Sequence, residues 1–260
     1  MNDKHESAIS VSRDGSLGIV ELARPPHNYF DLDMIAAIAD AWEALEADKS
    51  CRVIVLSAQG KSFCAGADFS RRENAEKKRS TRQVNPLYLE AVRLFSCTKP
   101  VVAAVQGSAV GGGLGLALTA DFRVTCKDAK FSANFNRLGF HPGFGLSFTL
   151  PRLVGQQKAS WLFYSGARID GEEAVRIGLA DFLVEQDDVR EKALDVARQI
   201  AVSSPRAVQS TRATLRAGLV EQVRQAVARE SAEQAVHMTS DDLREGVAAM
   251  AERRDPDFAD

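Results

Sequence analysis

Two mainly apolar runs without alternation, CRVIVLSA (51–58) and KPVVAAVQG (99–107), constrain the fold most tightly. Neither alternates polar with apolar residues, as a strand with one wet face does. Both faces of each strand must therefore be covered, which is the pattern of a parallel sheet flanked by helices. The text around them agrees. LGIVEL (17–22) is a third strand ended by the breaker ARPPHN, and a helix is expected over 31–48, where Leu32, Ile35, Ile38, Trp42 and Leu45 recur at three- and four-residue steps. Asp31 and Asp33 suit the positive end of its dipole. Pro86 is expected to open a helix, DFRVTC (121–126) and AKFSA (129–133) to be strands, and 155–166 and 170–178 to be helices. From 188 to 253 three or four amphipathic helices are expected. The fold class is α/β, with a core over 1–195 and a C-terminal helical region over 196–260.

The charge balance narrows the function. A net charge of −2 and a pI near 6.1 give no basic footprint for nucleic acid. The one cationic cluster, Arg71, Arg72, Lys77, Lys78, Arg79 and Arg82, is interrupted by Glu73 and Glu76 and reads as a solvated face. The four cysteines, Cys51, Cys64, Cys97 and Cys126, form no CxxC pair and have no histidine at ligand spacing, so free thiols and no metal are expected. No apolar run approaches the ~18 residues of a membrane span, and MNDKHESAISVSRDG lacks the apolar core of a secretory signal. A cytoplasmic protein with no membrane or nucleic-acid partner is expected.

The chemistry should lie in the turns that follow the buried strands, because ligands of open α/β sheets sit at the strands' carboxyl ends. Two such turns are rich in glycine, at 60–66 and 107–113. The second opens AVGGGLGLALTAD (109–121). It is not a phosphate loop of the GxxxxGK[ST] type, because no lysine follows the glycines, and 111–116 reads GGGLGL, without the last glycine of GxGxxG. A helix starting near Gly112 instead offers unpaired N–H groups, and a second donor can come from CAGAD (64–68). Two backbone donors aimed at one oxygen form an oxyanion hole, which stabilises an enolate or a tetrahedral intermediate.

GKSFCAGADF (60–69), KPVVAAVQGSAVGGGLGLALTADFRV (99–124), GFHPGFGLSFTLPRLVG (139–155) and SGARIDGEEAVRIGLAD (165–181) together resemble the enoyl-CoA hydratase/isomerase (crotonase) superfamily. The tail LREGVAAMAERRDPDF resembles its last helix, so the likeness spans about 15–258. The resemblance implies a crotonase-like spiral of ββα units with a helical C-terminal region, assembled as a homotrimer or as a hexamer of paired trimers. It implies an acyl-CoA substrate, with coenzyme A as part of that substrate and no other cofactor. It assigns the oxyanion donors to Ala67 and Gly112, and places Ala65, Gly66, Asp68 and Gly111 around the thioester and the adenine end of CoA. Arg24 would border the pantetheine, and Arg253, on the last helix of a neighbouring subunit, would meet a CoA phosphate.

The acid–base positions depart from that pattern. The two glutamates of the family's hydratases fall here on Gly115 and Phe135, and the position where other relatives carry a catalytic Asp or Tyr is Gly143. Hydration needs a base for water and an acid for the α-carbon, and none of these side chains moves a proton. His141 is the nearest remaining candidate, since imidazole titrates near neutrality. His27 is a candidate substrate contact, and alternation would turn Asn134 and Asn136 to a similar side. Gly115 should leave open space, and Phe135 with Phe140, Phe144 and Phe148 should make an apolar acyl pocket. The expectation is thioester chemistry other than standard 2-enoyl-CoA hydration. The alternatives are a weakly catalytic acyl-CoA binder and a hydratase with unusual acid–base groups.

Overall fold

The computed structural model describes residues 8–67 and 84–258. Asp68 and the cationic cluster over 71–82 lie outside these residues.

The two mainly apolar runs become β3 (Val53–Ala58) and β5 (Val101–Val105), the centre of a six-stranded sheet. Its order is β1 (Ile9–Asp14), β2 (Leu17–Leu22), β3, β5, β7 (Phe122–Cys126) and β10 (Phe182–Val184). Only the β1–β2 hairpin is antiparallel; β2–β3, β3–β5, β5–β7 and β7–β10 are parallel. A second sheet of four strands has the order β4 (Ser62–Cys64), β6 (Ser108–Val110), β8 (Lys130–Ser132) and β9 (Arg168–Asp170). The chain thus visits the large sheet with β3, β5 and β7, and each time passes directly to the small one with β4, β6 and β8. Both glycine-rich turns lie where the chain changes sheets.

Ten helices are described. Helix α1 (Leu32–Ala47) starts where expected, with Asp31 accepting a cap bond from the Met34 N–H at 2.9 Å. Helix α2 (Pro86–Ser96) packs on α1, and the six-residue α3 (Gly112–Ala117) follows β6. Then come α4 (Leu146–Val154), α5 (Gln156–Ser165), α6 (Gly171–Arg176) and α7 (Val189–Ala201). The last three are α8 (Pro205–Leu215), α9 (Leu219–His237) and α10 (Asp241–Glu252). The core boundary expected at 195 falls inside α7. That helix buries Ala193, Val196, Ala197 and Ala201 and packs along β3, β5 and β7.

Helices α9 and α10 hold the site loops. Helix α9 packs on α2 and α4, while α10 packs on a 3-10 turn, Asn136–Leu138. The fit at that turn is close: a Cβ on Gly246 would lie 2.5 Å from the Leu138 carbonyl carbon. No described helix is long and apolar enough to cross a membrane.

Candidate active site

The turn after β4 is held by a neighbouring loop. Asn28 is fully buried at φ 50°, a left-handed conformation that asparagine tolerates. Its amide donates to Gln59 O (2.7 Å) and Ser62 O (2.8 Å) and accepts from the Arg24 N–H (3.0 Å). Ala65 N–H donates to His27 O at 2.9 Å, and Phe30 N–H donates to Gly66 O at 3.0 Å in a parallel bridge of Phe30 with Ala67. A peptide is planar and trans, so the Ala67 N–H points opposite to the Gly66 carbonyl, away from Phe30.

The second donor lies beside the first. A Cβ on Gly66 would sit 3.0 Å from Val110 O and 4.0 Å from Gly112 N. Gly66 (φ 97°) and Gly111 (φ 55°) take backbone conformations that suit glycine just after the paired strands β4 and β6. Gly111 N–H is held by Ser132 O at 2.8 Å, and Gly111 O accepts from Gly115 N–H as α3 begins. Gly112 N–H, first in the helix, has no intrahelical partner. Among the described residues no acceptor engages either the Ala67 or the Gly112 N–H.

Both groups line one cavity of about 250 Å³. Its apolar wall is Phe30, Phe135, Leu138, Phe140 and Phe144, with Phe135 edge-on to Phe140 at 5.4 Å. Its polar groups include Tyr88, Asn134, Arg168 and the pair His27 Nδ1–Ser62 Oγ (3.1 Å). No described lining residue carries a carboxylate.

The structure brings Ala65, Gly66, Ala67, Gly111, Gly112 and Phe135 together at this cavity and leaves other expected residues elsewhere. His141 is outside it. The 3-10 turn and the left-handed Gly139 after it reverse the chain, and the imidazole lines a separate cavity with Asn136, Ser147 and Tyr164. Its Nδ1 donates to Pro142 O at 2.8 Å. A proton role for His141 on a ligand held at Ala67 and Gly112 therefore loses its geometric basis. The same turn separates Asn134, in the main cavity, from Asn136, so strand alternation does not apply there.

Gly115 is not open space. A Cβ there would lie 2.8 Å from Phe144 Cβ and Cδ1, so the phenylalanine fills the volume a side chain at 115 would need. Phe144 is fully buried and its ring lies 5.7 Å from that of Phe30. Phe148 does not line the cavity. Arg24 pairs with Asp31 at 2.8 Å, outside the cavity lining. Arg253 caps α10 at φ 58° with its side chain exposed, while Met250 of the same helix lines the cavity of its own chain. Cys64 donates to Asn28 O at 3.1 Å, and burial pushes its thiol up to about 12, which removes it as a nucleophile at neutral pH.

Sequence reasoning missed Tyr88 and Arg168. Tyr88 belongs by spacing to the buried stripe of α2, with Leu87, Ala91 and Phe95, and nothing local distinguishes it from a core aromatic. It also missed Glu230 on α9, whose fully buried carboxylate accepts from Gly145 N–H (2.7 Å), Ser147 N–H (2.9 Å) and Ser147 Oγ (2.6 Å). These bonds anchor the loop that carries Gly143 and Phe144.

Burial raises the Glu230 pKa above the ordinary carboxylate value, opposed by the Ser147 and Gly145 bonds and by His141. The folded protein therefore binds this proton more tightly than the unfolded chain. Glu230's contribution is full below its unfolded pKa, near 4.5, and is lost as pH rises through the folded value. The melting temperature of Glu230→Gln relative to wild type should accordingly increase from pH 4 to pH 8. A difference flat with pH would contradict a raised pKa.

Comparison with known proteins gives the family. The enoyl-CoA hydratase/isomerase family model matches residues 12–260. Crotonyl-CoA hydratase of Syntrophomonas wolfei is 32% identical over 253 residues, covering 96% of this chain and 97% of that protein. Human mitochondrial methylglutaconyl-CoA hydratase is 32% identical over 241 residues, covering 89% of this chain and 70% of that protein. A crystal structure of an enoyl-CoA hydratase/isomerase from Pseudoalteromonas atlantica T6c superposes with a TM-score of 0.87 at 31% identity, covering 97% of this chain and 100% of that one. This chain is an enzyme of the enoyl-CoA hydratase/isomerase, or crotonase, superfamily.

Proposed function

We infer that the cavity takes the thioester end of an acyl-CoA, and that the N–H groups of Ala67 and Gly112 polarise its carbonyl oxygen. The observation that carries this reading is the pair of unengaged backbone donors, on adjoining turns, at one largely apolar cavity. A thioester carbonyl conjugates weakly, so its α-proton is acidic for a carbonyl compound, and two fixed donors stabilise the enolate oxygen. Ala65, Gly66, Asp68 and Gly111 border the CoA moiety in this reading, and Arg24 and Arg253 serve its pantetheine and phosphate. The protein works in the cytoplasm as a homotrimer or hexamer. Trp161 and Tyr164, exposed on α5, provide apolar surface for such assembly.

The reaction is not standard 2-enoyl-CoA hydration. Gly115 faces Phe144, Phe135 is an aromatic wall, and among the described lining residues no carboxylate can activate water. Isomerisation, thioester hydrolysis, decarboxylation and C–C cleavage all use the same oxyanion device with other proton routes. The names of the relatives favour a second reading, a hydratase with unusual acid–base groups. Loss of crotonyl-CoA absorbance on mixing with the protein separates the two. General acid–base groups contribute on the order of 10²–10⁴ in rate, so crotonyl-CoA should be bound but hydrated slower by that factor than by a carboxylate-bearing hydratase. Hydration at a full hydratase rate would overturn the proposal. Absence of thermal stabilisation by any acyl-CoA would overturn the thioester site itself.

A further inference from the structure

A smaller cavity of about 90 Å³ opens at Asp121. It shares no lining residue with the cavity of the Ala67 and Gly112 N–H groups. Its wall carries three guanidinium groups, from Arg123 on β7, Arg152 in the last turn of α4 and Arg216 just after α8. The one carboxylate among the described lining residues is that of Asp121.

The charges there do not balance. Asp121 serves two cations, Arg212 at 2.8 Å and Arg216 at 2.7 Å. Arg123, 2% exposed, has Asp181 at 3.2 Å. Arg152 has no carboxylate partner among the described residues, and its Nη2 donates to Leu215 O at 3.1 Å. Arg123, Arg152, Arg212 and Arg216 are thus set against Asp121 and Asp181 alone. Donors are left over too, since Arg212 Nη2 is buried without an acceptor. Helix α9 starts at the same cavity with Leu219. Its cap is Gly218, which has no side chain to accept, so first-turn N–H groups stay open and the positive end of the dipole lies at the cavity. The acid of that turn, Glu221, is taken up by Arg224 at 2.6 Å. Excess positive charge in a half-buried seam is costly, and burial together with the Asp121-sharing Arg212 bears on Arg216, whose pKa is lowered.

We propose that this cavity is an anion site, separate from the catalytic one, which takes a small tetrahedral oxyanion of the inorganic phosphate class between Arg152, Arg216 and the start of α9. Its size sets the class. A volume of about 90 Å³ is far below the roughly 300–1,000 Å³ of cavities that enclose drug-sized molecules, so a nucleotide or a CoA moiety does not fit. A guanidinium fork matches two oxygens of such an anion. The bound anion would tie α4 and α9 to the seam where α8 meets the sheet. This holds whether or not the larger cavity takes a thioester.

The test is calorimetric titration of the full-length protein with inorganic phosphate at neutral pH and constant ionic strength. Wild type should bind one phosphate per chain with a Kd on the order of 1 mM, and its melting temperature should rise saturably with phosphate. Arg152 is exposed, so Arg152→Gln keeps the fold. It should weaken phosphate binding about tenfold, the worth of one charge-assisted hydrogen bond, and leave acetoacetyl-CoA affinity unchanged. Arg152→Lys, which keeps the charge and loses the fork, should fall between. Stabilisation that never saturates, and is equal in wild type and Arg152→Gln, is the surface exclusion of a kosmotropic salt and would overturn the proposal. Phosphate displaced by CoA would belong to the larger cavity and would overturn it as well.

Discussion

Gly112→Ala should lower kcat on the thioester that this enzyme converts by about 10²–10³, the cost of one misplaced oxyanion donor. The substitution keeps an N–H at position 112. The loss comes from position: a Cβ there would overlap Phe30 Cζ and approach Cε1 at 2.9 Å, forcing the start of α3 away from the cavity. Overpacking of this kind also destabilises by about 1–3 kcal/mol. Phe30 carries the bridge to Ala67, so the two donors move relative to each other rather than together. Two readouts separate these effects. Affinity for acetoacetyl-CoA, whose enolate oxygen resembles the reacting one, should fall while CoA itself still binds. In the double variant Gly112→Ala/Phe30→Ala, relief of the overlap should restore part of the lost affinity. If the single variant polarises a bound thioester carbonyl as wild type does, measured by its infrared stretch, Gly112 is not part of the hole.

That the two turns meet was only half legible in the sequence. The runs of β3 and β5 are apolar except for Ser57 and do not alternate, so their burial, the parallel sheet and the glycine turns after them could be read directly. The small sheet could not. Its strands β4 (SFC) and β6 (SAV) are three residues long, too short to show a period, and they are fixed by tertiary pairing. Strand β1 escaped for a different reason, since only Ile9 of its six residues is buried. In the site, the glycine-rich turns that meet at the cavity were legible because glycine marks a backbone approached closely. The side chains were not, because each depends on a partner distant in sequence. Gly115 is empty or full according to where Phe144 lies, and His141 turns away because a 3-10 turn and a left-handed glycine intervene. Tyr88 reaches the cavity only because residue 143, more than fifty positions later, has no side chain.

The Asp that closes AVGGGLGLALTAD has a structural task, and Asp121→Ala should destabilise the fold by about 3–5 kcal/mol, read as a lower urea midpoint at unchanged m-value. Its carboxylate accepts from Val101 N–H (2.9 Å) at the start of β5, from Arg212 Nε (2.8 Å) on α8 and from Arg216 Nη1 (2.7 Å) just after that helix. The two arginine side chains are only 10% and 14% exposed. Arg212 also donates to Cys97 O, and Arg216 to Phe95 O at 3.4 Å, so neither can swing out to solvent without breaking a second contact. Without Asp121 both cations stay in a low-dielectric seam with no counter-charge, at a cost comparable to much of a domain's net stability of roughly 5–15 kcal/mol. Asp121→Asn should fall between, because it keeps one acceptor oxygen but turns an NH₂ toward a guanidinium. If the cost is the stranded charge, then Asp121→Leu with Arg212→Met and Arg216→Met should lie closer to wild type than Asp121→Ala alone, since apolar replacement of a whole buried ion cluster is often neutral. If Asp121→Ala costs less than about 1 kcal/mol, as an exposed ion pair does, α8 is docked by its other contacts and this seam is not what joins the helical region to the sheet.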